Sequence, residues 1–116
     1  MEKVIYLKTT IEQILNNNKA IDVCSIDLKG KSSIADYMIV ASGTSSRHLQ
    51  ALSEKILEEF KKEGISNCHL EGKDSNEWKL IDGIDIIVHI FNPERRKFYN
   101  LEKMWSELLA KERFMI

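Results

Sequence analysis

The segment "DYMIVASG", Asp36 to Gly43, constrains the fold more than any other part of the chain. It is β-rich and apolar on both of its alternating faces, so it reads as a central strand ending at Gly43. "TSSRHLQALSEKILEEFKKEG" follows at once and sets Leu49, Leu52, Ile56 and Phe60 on one stripe. That spacing predicts the longest helix, capped by Ser45 or Ser46 and closed by Gly64.

The flanks extend the same architecture. Val4, Leu7, Ile11 and Ile14 predict an amphipathic first helix that ends in the "NNN" of Asn16 to Asn18. A strand around Asp22 to Leu28 then leads into a Gly/Ser turn. "SNCHLEG" is a short strand. "EWKLI" and "IDIIVHIF" flank Asp82-Gly83, a dipeptide suited to the positive φ angles of a type I′ hairpin turn. Asn92 caps a last helix with Pro93 at its first position and Phe98, Leu101, Trp105 and Leu108 inside. The expected order is αββαβββα. One strand–helix–strand crossover and two antiparallel pairings give a mixed β-sheet with helices packed on it, an α/β single domain over residues 1–116.

Composition narrows the function classes. The chain carries 17 basic and 18 acidic side chains, for a net charge of −1. Proteins that hold nucleic acid by counterion release are usually more basic, which argues against DNA and bare RNA as first partners. Cys24 and Cys68 stand far apart without a CxxC, as expected of reduced, buried or half-buried thiols, and no zinc spacing is present. The N-terminus has no cleavable apolar region, and no apolar run is long enough to span a bilayer, so the expectation is a cytoplasmic protein away from membranes.

Candidate chemistry is sparse. "SGTSSRH" places a Gly-Thr-Ser turn before a helix, where backbone N–H groups can cradle phosphate. It is neither a Walker loop nor a GxGxxG, and no Asp-x-Asp or Asp-x-Glu pair follows to hold metal ions. A nucleotide-dependent enzyme using the Gly43/Ser45 turn is the alternative reading, and an N-cap is the simpler one. Asp82 and Asp85 are explained by the turn between them. His89 alternates with Ile87 and Phe91 and is expected to be a hydrogen-bonded core histidine, whereas His48 in a first helical turn is expected at the surface. No catalytic residue, cofactor or metal site emerges. In "EWKLI" the alternation sends Trp78, Leu80 and Asp82 to one face and Lys79 and Ile81 to the other. The first face is either core or an aromatic anchor with an acidic rim, the composition of a docking surface.

Taken in order, these pieces resemble the ribosomal silencing factor (Iojap) family. The likeness rests on Asp36-Tyr37, Gly43/Ser45, Arg47-His48, Glu71-Gly72, Trp78/Leu80/Asp82, Val88-His89 and the run from Arg96 to Trp105. It extends from about Asp22 to Trp105. The resemblance implies a nucleotidyltransferase-like shape without the catalytic acids, and a binding role rather than an enzymatic one. It implies binding to the large ribosomal subunit through ribosomal protein L-fourteen, blocking of small-subunit joining and lowered translation when nutrients are short. It also implies a homodimer in isolation. The expected docking residues are Trp78, Leu80 and Asp82, with Glu71 and Tyr99 as neighbours.

Overall fold

The computed structural model describes residues 2–30, 33 and 35–94. Helix α1 (Glu2–Asn17) precedes strands β1 (Ile21–Asp27) and β2 (Tyr37–Ser42). Helix α2 (Ser46–Lys62) leads to β3 (His69–Glu71), β4 (Trp78–Asp82) and β5 (Ile86–Phe91). The helix expected from Pro93 onward, with its stripe Phe98, Leu101, Trp105 and Leu108, lies outside the described residues beyond its first two positions. The five strands form one sheet in the order β1-β2-β5-β4-β3. β2 and β5 run parallel, and the other three pairings are antiparallel, one more than expected. The mixed α/β architecture is therefore as read from the sequence.

The parallel pair sets the layers. Parallel neighbours need a crossover, and here α2, β3 and β4 supply it. Ile39 and Ala41 of β2 and Ile86, Val88 and Ile90 of β5 meet Leu7, Ile11 and Leu15 of α1 and Leu49, Leu52, Ile56 and Phe60 of α2. Leu15, absent from the expected stripe of α1, is fully buried, while Val4 and Ile14 lie at the edge of this core. The alternate residues form a second cluster on the opposite sheet face, with Met38, Val40 and Phe91 buried beside Leu28 and Ala35.

Local chemistry ends the elements as expected in most places. Ser45 caps α2 by accepting from the His48 N–H at 3.1 Å. At the other end Ile65 N–H reaches the Phe60 carbonyl and Gly64 N–H the Lys61 carbonyl, both at 3.0 Å. In β1 the register shifts between Ile21 and Cys24, where Asp22 has φ 51.

The β4–β5 turn differs from the expected type I′ geometry. Gly83 N–H bonds the Ile86 carbonyl at 2.9 Å, so the loop proper is Ile84 and Asp85. Positive φ falls on Ile84, at 72, and not on Gly83 or Asp85. Packing accounts for the glycine itself. A Cβ at Gly83 would lie 2.5 Å from the Phe60 ring, and Phe60 is fully buried. Glycine is there to admit the ring rather than to turn the chain. Asp82 Oδ1 accepts from the Ile84 N–H at 2.9 Å and holds the loop in this register.

Gly83→Ala should accordingly lower unfolding free energy by on the order of 2 kcal/mol through overpacking. Urea denaturation checks this, and an unchanged midpoint would show that Phe60 yields without cost.

Candidate functional site

β4 is the strand on which the site is built, because its two faces do different work. Trp78, Leu80 and Asp82 are half-buried and face away from the helices, while Lys79 and Ile81 are buried beneath α2. Register fixes the neighbours of the first three: Trp78 lies opposite Phe91, Leu80 opposite His89 and Asp82 opposite Ile87. On the other flank Glu71 lies opposite Leu80 and His69 opposite Asp82. Four of the five expected docking residues therefore share one sheet face, next to the edge strand β3. The fifth, Tyr99, lies outside the described residues.

The anchor of this face is held in place. The Trp78 indole Nε1–H donates to His89 Nδ1 at 3.1 Å. The Trp78, His89 and Phe91 rings are near-parallel, with centroids 6.0 to 6.1 Å apart. Such aromatic pairs each add about 0.5–1.5 kcal/mol beyond burial alone. His89 is thus the hydrogen-bonded core histidine expected from its strand, and Trp78 packs against it and Phe91 as the core reading expects. Its ring is packed on one side, its N–H is satisfied, and it remains half-buried. Burial holds His89 below its ordinary 6.5, at about 4. The neutral ring accepts at Nδ1, so its proton sits on Nε2.

The rim is acidic with a histidine between. His69 Nε2 lies 3.6 Å from Glu71 Oε1 and 3.9 Å from Asp82 Oδ2. Glu71 is well exposed, its side chain at 58%, whereas the Asp82 side chain is at 30% because it also serves the turn. Exposed pairs of this kind contribute little to stability, so the carboxylates remain available to a partner. In the sequence His69 is one of three histidines that no spacing motif groups, and it has no expected place in the docking set. The period-two alternation of "SNCHLEG" carried the signal, since it places His69 and Glu71 on one face.

The Gly43-Thr44-Ser45 turn uses its own donors. Thr44 N–H donates to His48 Nδ1 at 2.9 Å, and Ser45 Oγ caps His48. His48 Nε2 in turn donates to the Asn18 carbonyl at 2.7 Å. The expected surface position of His48 is therefore corrected: the ring is half-buried and ties the start of α2 to the end of α1. Asp85 also acts in the scaffold, through its carbonyl, which accepts from Asp36 and Tyr37 N–H. Cys24 and Cys68 are half-buried and free. Among the described residues no helix is long and apolar enough to cross a membrane, and no cluster of His, Cys, Asp and Glu is arranged to hold a metal ion.

One sheet face of a small α/β domain thus carries a hydrogen-bonded tryptophan beside an acidic rim. Comparison with known proteins gives the family. The family model described as "Ribosomal silencing factor during starvation" matches residues 2–114. The ribosomal silencing factor of Zymomonas mobilis is 46% identical over 92 residues, covering 79% of this chain and 69% of that protein. The mouse protein named "Mitochondrial assembly of ribosomal large subunit protein 1" is 33% identical over 96 residues, which span 80% of this chain and 42% of that longer protein. A solved structure from Chromobacterium violaceum superposes with a TM-score of 0.81 at 30% identity, covering 87% of this chain and 84% of that one. The chain belongs to the ribosomal silencing factor family.

The buried imidazole predicts a pH signature. Between pH 6.5 and about 4 the unfolded chain binds a proton that the folded His89 refuses, so stability falls as pH drops through that window and is fully present above it. A shift of this size is worth about 3 kcal/mol. In denaturation series from pH 7.5 to 4, His89→Gln should lose most of that slope. An identical slope in both proteins would place the proton uptake elsewhere.

Proposed function

We propose that this chain docks on the large ribosomal subunit through ribosomal protein L-fourteen and blocks joining of the small subunit. Translation then falls when nutrients are short. The carrying observation is the convergence of Trp78, Leu80, Asp82 and Glu71 on one sheet face, with the Trp78 ring fixed by His89. Family membership supports the reading, as does the printed name of the mouse relative, which ties that protein to the large subunit. Tyr99 extends the same surface in this proposal.

The physical argument has two parts. A preorganised aromatic side chain loses little rotamer freedom on binding, so more of its burial appears as affinity. A ribosomal protein seated on RNA is usually basic, and the carboxylates of Glu71 and Asp82 complement such a partner and steer encounter. The protein acts by occupancy rather than by turning over a substrate. It works in the cytoplasm and forms a homodimer when isolated.

Trp78→Ala should weaken binding to purified large subunits by about 2 kcal/mol, roughly thirtyfold. Asp82→Ala should do less and should flatten the salt dependence. Co-sedimentation with large subunits measures both, with circular dichroism confirming that each variant is folded. Folded Trp78→Ala and Asp82→Lys proteins that bind like the parent would move the docking surface elsewhere.

A further inference from the structure

On the helix side of β4 lies a cleft that docking on the outer face leaves unused. It has a volume of about 540 Å³, a size that suits a small ligand, and runs between α2 and the β3–β4 loop. Ser46, Arg47 and Gln50 come from α2, Lys73 and Ser75 from the loop, and Lys79 from β4.

Lys79 is the unusual member. It is 2% exposed, yet it is a lysine. Its ammonium donates to the Gly72 carbonyl at 3.1 Å and to the Lys73 carbonyl at 2.7 Å. Two neutral carbonyls satisfy two of three donors and supply no counter-charge. Among the described residues no carboxylate lies within ion-pair distance of it. A buried charge without an opposite charge is costly, and an anion in the cleft would supply both the charge and the third acceptor.

The surroundings fit an oxyanion. Arg47 and Lys73 stand on opposite walls, and among the described residues neither side chain has an ion-pair partner. Ser75 Oγ already accepts from the Glu77 and Trp78 N–H groups at 3.2 and 3.1 Å, which leaves its own proton to donate. Glu54 and Asp74 also line the cleft, but Glu54 Oε1 is engaged by Gln50 Nε2 at 3.1 Å, and the three cations outnumber the two carboxylates. The loop wall is fixed as well. Gly72 has φ +77, and a Cβ there would lie 2.6 Å from the Trp78 carbonyl, so the chain closes tightly behind Lys79.

We propose that this cleft binds a phosphate group, free or carried by a nucleotide, between Arg47, Lys73 and the Lys79 ammonium. Arginine grips such a group through two parallel N–H bonds and lysine acts on it as a point charge. The volume exceeds that of phosphate alone and leaves room for the rest of a nucleotide beside Gln50 and Asn76. The site lies across the sheet from Trp78 and Leu80, so the isolated protein can be tested without ribosomes, and the outcome is independent of the docking proposal.

The test is calorimetric titration of the full chain, in phosphate-free buffer, with inorganic phosphate and separately with adenosine triphosphate. Saturable binding of either probe, weakened at least tenfold by Arg47→Ala, supports the site. Tighter binding of the nucleotide would mark it as the ligand class, and equal binding would mark phosphate itself. Lys79→Gln should abolish binding, but that variant also removes the loop's internal donor. Arg47→Ala at the exposed rim therefore decides the case without a folding penalty. No saturable heat with either probe, or an affinity unchanged in Arg47→Ala, would overturn the proposal.

Discussion

The parallel pairing of β2 with β5 is the constraint from which the rest follows. From Tyr37 opposite Ile86 to Ser42 opposite Phe91, it places two apolar strands side by side at the centre of the sheet. Neither can be joined to the other by a short turn, so the intervening chain must cross over. That crossover delivers α2 to one face and returns through β3 and β4, which pair antiparallel to reach β5. Burial of Ile39, Val88 and Ile90 against α1 and α2 then commits the middle of one sheet face to the core.

On the other face the Trp78–His89 hydrogen bond fixes the indole in place. An indole N–H left unpaired in so apolar a setting would be costly, and so would an unpaired buried imidazole nitrogen. Each satisfies the other. The arrangement requires a neutral His89, which its burial secures throughout the neutral range. The indole is therefore part of the fold's own hydrogen-bond accounting.

Much of this was legible in the sequence because the deciding interactions are periodic or local. The stripe of α2, its Ser45 cap and its Gly64 stop depend on spacing within one element. The two faces of β4 depend only on alternation, and Glu71 joins Leu80 because hairpin strands keep register. The features that escaped depend on distant chain. The Phe60 ring occupies the space beside Gly83, and positive φ falls on Ile84, against the local preference of Asp-Gly. His48 is fixed by the carbonyl of Asn18, thirty residues earlier in the chain. Alternation sets Lys79 on the face opposite Trp78 and Leu80 but does not say what its ammonium meets. Its partners are loop carbonyls that only the closed β3–β4 turn brings to it.

Docking as proposed brings the Glu71 and Asp82 rim against a basic ribosomal protein. Carbodiimide cross-linking of the chain bound to large subunits, read by mass spectrometry, tests it most directly because the reagent joins carboxylates to amines in contact. Links from Glu71 or Asp82 to lysines of ribosomal protein L-fourteen are expected. Links from a stably bound chain confined to the helix carboxylates, such as Glu12 and Glu58, would contradict it.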